Sequence, residues 1–185
     1  MTPVVGRLNP LYGKPFSSRK RLPPGLWPTF TMPNSTPKPG EKIVVLVDDE
    51  FSYIDLLQQL LGEHLDRPVH GYTKPADALR ALPSLNVGII VTDYQMPDIN
   101  GLQFIAGVQK INPTIPVVMI TAYNMTFTDR ELAAVPSLKA IVRKPFKWTA
   151  LAAELVKHWP DANPPKVISS KSPFRSKSDA PLKDA

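Results

Sequence analysis

Two short apolar runs in this chain end in acid: Ile43-Val44-Val45-Leu46-Val47 leads into Asp48-Asp49, and Val87-Gly88-Ile89-Ile90-Val91-Thr92 leads into Asp93. A third run, residues 115–120, ends at Thr121, and a fourth, 139–142, delivers Lys144 followed by Pro145. Carboxylates delivered to one place repel one another unless a cation holds them. Oxygen-only ligands that leave room for water favour Mg²⁺ over zinc or copper. No glycine-rich turn follows the first run, so a backbone cradle for phosphate of the dinucleotide or P-loop kind is excluded. Two acids for a metal, one acid as nucleophile, and a hydroxyl and an ammonium for a phosphoryl oxygen make a phosphoryl-transfer set. Each residue also has a plainer reading. Asp48-Asp49 could cap a helix, Thr121 could sit in a turn, and Lys144 could simply balance charge. The proline after Lys144 suggests a fixed turn, cis or trans, that aims the lysine.

These residues share an edge only if the runs are neighbouring strands. Short β-branched runs read as strands buried on both faces, the mark of a parallel sheet covered by helices. Between them lie helical spacings: Ile54, Leu57 and Leu61 within 51–64 with Leu65 next in step, Leu102, Ile105 and Val108 within 101–110, and Leu151, Ala152, Leu155 and Trp159 within 148–159. A shorter helix at 76–82, ended by Pro83, and a weak one at 129–134 complete the alternation, with a weaker strand at 68–72. Five strands alternating with five helices predict a doubly wound parallel α/β domain. In such sheets ligands bind just beyond the carboxyl ends of the strands, which is where the acids, Thr121 and Lys144 fall.

The chain has 185 residues, 22 prolines, no cysteine and a net charge of +6. Disulfides, thiolate metal sites and thiol catalysis are therefore excluded. Nine prolines and six basic residues, with no acid, fall in residues 1–40, whereas 41–159 is mildly acidic. The basicity belongs to the ends, which argues against a nucleic-acid surface on the domain itself. Residues 1–40 are expected to be a disordered Pro-rich basic segment, 41–159 the folded domain and 160–185 a second disordered tail. Met32 offers an alternative start, which would make 1–31 absent from the native protein; intact mass decides this. No signal-peptide h-region and no run long enough to span a bilayer is visible, so a soluble cytoplasmic protein is expected.

The residues closely resemble the receiver domain of two-component response regulators. The resemblance covers about 41–159 and rests on Val47-Asp48-Asp49-Glu50, the run Thr92-Asp93-Tyr94-Gln95-Met96-Pro97-Asp98-Ile99-Asn100-Gly101, Ile120-Thr121-Ala122 and Arg143-Lys144-Pro145-Phe146. It implies a flavodoxin-like receiver fold and a phosphoacceptor role for Asp93, which would take its phosphoryl group from a sensor histidine kinase or phosphotransfer protein. It further implies Mg²⁺ on Asp49, Asp93 and the backbone carbonyl of Gln95, with Asp48 acting through water. Lys144 would pair with a phosphoryl oxygen, and Thr121 would swing toward it. Such a protein is a signalling phosphoprotein rather than an enzyme, at most promoting its own phosphorylation and dephosphorylation. Only 26 residues follow 159, so a single-domain regulator with an unknown downstream protein target is expected.

One position departs from the family pattern. Ile141 stands three residues before Lys144, where such receivers usually carry an aromatic switch, and a branched aliphatic cannot swing as a ring does. Tyr123 offers a partial replacement. The competing readings are a phosphorylation-independent scaffold of the same fold, weak salt-dependent nucleic-acid binding through the basic ends, and a metal-dependent phosphatase, for which no second general acid is visible. The short cluster Arg19-Lys20-Arg21 reads as solvated charge. The dispersed His64, His70 and His158 read as solvated or half-buried residues rather than metal ligands.

Overall fold

The structure, a computed structural model, describes residues 30–31, 37–122 and 124–167. The expectations placed on Arg19-Lys20-Arg21, Met32, Tyr123 and residues 168–185 lie outside the described residues. The elements in chain order are β1 (Phe30–Thr31), β2 (Ile43–Val47), α1 (Phe51–Leu65), β3 (Val69–Tyr72), α2 (Pro75–Ala81), β4 (Val87–Asp93), α3 (Gly101–Ile111), β5 (Val117–Ala122), α4 (Asp129–Ala133), β6 (Leu138–Lys144) and α5 (Trp148–Lys157).

Strands β3-β2-β4-β5-β6 form the parallel sheet, in that spatial order. This is the doubly wound arrangement expected, and the order reverses at β2, next to the strand that ends in Asp93. A two-residue strand is added to it: β1 pairs antiparallel with β3, Phe30 opposite Tyr72 and Thr31 opposite Gly71. Two residues of the segment expected to be disordered are thus paired. The physical reason is the edge of β3, whose free backbone groups accept a passing chain.

Every residue of β2 and β4 is buried, because helices cover both faces. Alternation sorts the side chains. Ile43, Val45 and Val47 join Ile90, Phe104, Ile105 and Val108 in the core under α2 and α3. Val44 and Leu46 join Leu57, Leu61, Leu151 and Leu155 under α1 and α5. Pro83 does not end the second helix outright. The helix closes at Ala81 and passes into a 3₁₀ turn, Leu82–Ser84, since a proline is tolerated in a first turn, where no N–H is required. The last helix stops at Lys157 rather than Trp159, yet Trp159 is buried as its stripe implied. Its ring fills the space left by Gly88, where an added Cβ would collide with it. Arg67 lies 5.8 Å over that ring and donates to the Asn163 carbonyl at 3.3 Å, while Lys42 pairs with Asp161 at 3.2 Å. The segment after α5 is thereby held at the end of the sheet opposite the carboxylates.

Candidate functional site at the carboxyl edge of the sheet

Register brings the acids together. Val47 on β2 lies opposite Thr92 on β4, so the next residues, Asp48 and Asp93, emerge side by side. Both are buried, Asp48 7% and Asp93 6% exposed. Lys144, at the end of β6, joins them: its Nζ lies 2.7 Å from Asp93 Oδ1 and 3.5 Å from Asp48 Oδ2. The Lys144–Pro145 peptide is cis. The remaining carboxylate oxygens are held by backbone donors. Glu50 N–H donates to Asp48 Oδ1 at 2.9 Å, and Gln95 N–H donates to Asp93 Oδ2 at 2.6 Å.

The loop after Asp93 is shaped by its own residues. Asp98 adopts a φ of 70°, and Asn100 caps α3 in a reciprocal box with Gln103. Gly101 opens that helix against the strand that ends in Asp93. An added Cβ there would lie 2.7 Å from the Asp93 carbonyl oxygen and 2.9 Å from Tyr94 Cα. The glycine in the Asp-x-x-Met-Pro-x-x-x-Gly run is thus a close-approach residue, needed because backbone lies where a side chain would go.

Electrostatically the group is short of positive charge. Burial pushes the Asp48 carboxyl above its ordinary range; the Glu50 N–H and Lys144 offset this only in part, and the Asp93 charge adds to it. Burial works against the Lys144 ammonium, but its hydrogen bond to Asp93 and the charges of both carboxylates hold its pKa above the ordinary value. The ammonium also sits 4.7 Å over the ring of Tyr53, a residue the sequence reading passed over. Burial, with the nearby carboxylates, pushes the Tyr53 hydroxyl up to about 12, so it stays a neutral donor. Its position on the first turn of α1, four residues after Asp49, was the available signal.

The other expected residues are placed as follows. Thr121 is 1% exposed, one residue beyond the β5 position paired with Asp93. Its hydroxyl has no hydrogen-bond partner among the described residues. Asp49 is exposed and stands outside the Lys144 ion-pair group. Gln95 meets Asp93 through its N–H, which leaves its carbonyl for another role. Among the described residues no three His, Cys, Asp or Glu side chains form a ready-made metal cage. His70 is fully buried rather than solvated or half-buried, because every residue of β3 is covered, and His64 stands edge-on to Trp148 at 4.8 Å. Ile141 is half-buried against the core under α3.

Residues 44–156 match the family described as Response regulator receiver domain. Among curated proteins, Transcriptional regulatory protein ZraR of Escherichia coli (strain K12) is 28% identical over 145 residues, which cover 74% of this chain and 32% of that protein. Protein-glutamate methylesterase/protein-glutamine glutaminase 1 of Dechloromonas aromatica (strain RCB) is 32% identical over 92 residues, 49% of this chain and 26% of that protein. The chain spans about a third or less of the length of these relatives. Among solved structures, Vibrio cholerae chemotaxis protein CheY4 matches with a TM-score of 0.58 at 21% identity, over 64% of this chain and 99% of that one. That likeness is one of fold.

Proposed function

The chain belongs to the response regulator receiver domain family, and on that premise we propose that Asp93 accepts a phosphoryl group from the phosphohistidine of a sensor kinase or phosphotransfer protein. A receiver is a phosphoaccepting signalling domain, and its output is a change of surface rather than turnover of a substrate. The observation that carries the proposal is the grouping at one edge: two buried carboxylates sharing Lys144, beside a buried threonine hydroxyl with no partner among the described residues.

In the transfer a carboxylate oxygen of Asp93 forms the O–P bond of an acyl phosphate as the P–N bond to the donor imidazole breaks. Lys144 already touches Asp93 Oδ1 and passes to a phosphoryl oxygen without leaving its place, stabilising charge where it develops. Thr121 supplies a hydrogen bond to a second phosphoryl oxygen, which satisfies its hydroxyl. Gln95 N–H holds Asp93 Oδ2 and so orients the carboxyl group for attack.

The donor set fits Mg²⁺. It is all oxygen, and it carries two buried carboxylates and the exposed Asp49 against one lysine. Asp49, Asp93 and the Gln95 carbonyl would hold the ion, with Asp48 reaching it through water, as suits a cation that keeps part of its hydration shell. When bound it supplies charge neutralisation for the phosphoryl oxygens. Single-domain action, an unknown protein as downstream target and a cytoplasmic setting belong to the same proposal. In support of the last, no helix among the described residues is long and apolar enough to cross a membrane.

The test is incubation of the full chain with acetyl phosphate and MgCl₂, followed by intact mass. A mass gain of one phosphoryl group in the wild type, absent in Asp93→Asn and on chelation with EDTA, is expected. A wild-type protein that gains no mass, or an Asp93→Asn variant that gains it equally, would overturn the proposal.

A further inference from the structure

The residue after the nucleophile makes an aromatic contact that the phosphoryl-transfer reading leaves unused. Tyr94 and Phe127 meet edge-on, ring centroids 5.0 Å apart at an interplanar angle of 74°. We propose that this ring pair carries the chemical state of Asp93 to α4, serving where Ile141 supplies no ring. The inference rests on the phosphoacceptor reading of Asp93.

Tyr94 is fixed by its backbone. Its N–H donates to the Ile120 carbonyl at 2.8 Å, at the residue before Thr121, and its carbonyl accepts from Gly101 N–H at 2.9 Å. The part of Tyr94 left to reorient is therefore its half-buried ring. Phe127 stands at the far end of the loop that begins after Ala122, the neighbour of Thr121. It directly precedes Thr128, which caps α4 in a reciprocal box with Glu131. A displaced Phe127 displaces that cap.

α4 itself gives little resistance. It is five residues long and buries none of them, so its position depends on what holds its ends. The loop is also gripped from the other side, where an Arg143 Nη1–H donates to the Met125 carbonyl. Its two anchors are thus the immediate neighbours of two site residues, Tyr94 beside Asp93 and Arg143 beside Lys144. Ile141 is half-buried in the same apolar cluster as Tyr94 and Phe127 and lies in register with Met119. As an aliphatic in a strand it offers packing but no ring to exchange between inner and outer positions. When Thr121 turns toward the phosphoryl group, the loop shortens from its near end, Phe127 slides across Tyr94, and the start of α4 follows.

The test compares ¹⁵N-labelled full-length wild type, Phe127→Leu and Phe127→Tyr with and without acetyl phosphate and MgCl₂. Intact mass and the amide shifts of Asp129–Ala133 are read on the same samples. Wild type and Phe127→Tyr are expected to gain the phosphoryl group and to shift α4. Phe127→Leu keeps the apolar volume without the ring. It is expected to gain the phosphoryl group equally while its α4 shifts fall to less than half the wild-type size. Phe127→Met replaces it should the leucine variant fail to fold. Wild-type shifts in the ringless variant overturn the relay and leave the phosphoacceptor reading standing. Absence of any wild-type mass gain overturns both.

Discussion

Two glycines of α3 make opposite demands, and exchanging each for alanine separates them. At Gly101 an added Cβ meets the Asp93 carbonyl oxygen at 2.7 Å, Tyr94 Cα at 2.9 Å and Met119 Sδ at 3.1 Å. The first two are backbone, so no rotamer relieves the clash, and either the helix start retreats or the strand that ends in Asp93 moves. Overpacking of this kind costs about 1–3 kcal/mol. Little helix propensity is regained, because Gly101 is the first helical residue. A shift of the strand also misplaces Asp93, and misplacements near 1 Å cost about 10²-fold in rate. At Gly107, in the middle of the same helix, an added Cβ meets the two methyl ends of Leu79 at 3.1 Å. Those ends can give way, and an interior glycine exchanged for alanine gains up to about 1 kcal/mol. Gly101→Ala is therefore expected to be destabilised by about 1–3 kcal/mol and slow to take phosphoryl from acetyl phosphate. Gly107→Ala should be neutral or stabilised, with an unchanged rate. Urea denaturation and single-turnover mass kinetics measure both. A Gly101→Ala protein within about 0.5 kcal/mol of wild type that phosphorylates at full rate would refute the close-approach argument.

Lys144→Met removes the cation from both carboxylates. Phosphoryl uptake from acetyl phosphate should fall about 10²–10³-fold in the same mass kinetics, and an unaltered rate would deny Lys144 its role. His70 sets a pH dependence of stability. Burial holds its imidazole down to about 4 against its ordinary 6.5, so between those values the unfolded chain takes a proton that the folded one refuses. Its contribution is constant above about pH 6.5 and is lost as pH falls toward 4, by at most about 3 kcal/mol. Urea midpoints of His70→Leu should fall less than those of wild type between pH 7 and pH 4.5, and parallel losses would contradict this. Gly88→Ala drives a methyl into the Trp159 ring and should cost about 1–3 kcal/mol. Phosphorylation should be untouched, because the collision lies at the far end of the sheet. In urea denaturation the double variant with Trp159→Leu should lose less than the two single changes together.

The strands were legible because burial on both faces leaves unbroken β-branched runs, and the site residues because each stands where such a run stops. From Asp48, Asp93, Thr121 and Lys144 the edge could be assembled before any strand order was known. What escaped were contacts between elements far apart in the chain. Tyr53 under Lys144 depends on which helix covers which strand, and Phe127 against Tyr94 on how two loops meet; the spacing of apolar residues encodes neither. Phe104 is fully buried on the next position around the helix from the stripe read as Leu102, Ile105 and Val108, and Leu102 is the half-buried member. The pairing of Phe30–Thr31 with β3 escaped for a related reason. Two residues carry no periodicity, and the reward for pairing comes from an exposed edge elsewhere in the fold.

The absence of buried side chains in α4 also sets an energy scale for signalling. The capping box lies within residues 128–131 and moves with the helix, so what holds it from outside is an edge-on ring pair of about 0.5–1.5 kcal/mol and the Arg143 hydrogen bond to the Met125 carbonyl, about 1 kcal/mol. Roughly 2 kcal/mol therefore holds the helix in its resting place, a preference of about 30 to 1. A hydrogen bond from Thr121 to a charged phosphoryl oxygen is worth about 1.5–3 kcal/mol. On the proposed reading of Asp93 and Thr121, phosphorylation alone would move the balance to between roughly 2 to 1 and 1 to 5, which is a partial shift. A partner that prefers the moved helix would complete it, and by reciprocity such a partner would bind the phosphorylated protein more tightly and favour keeping it phosphorylated.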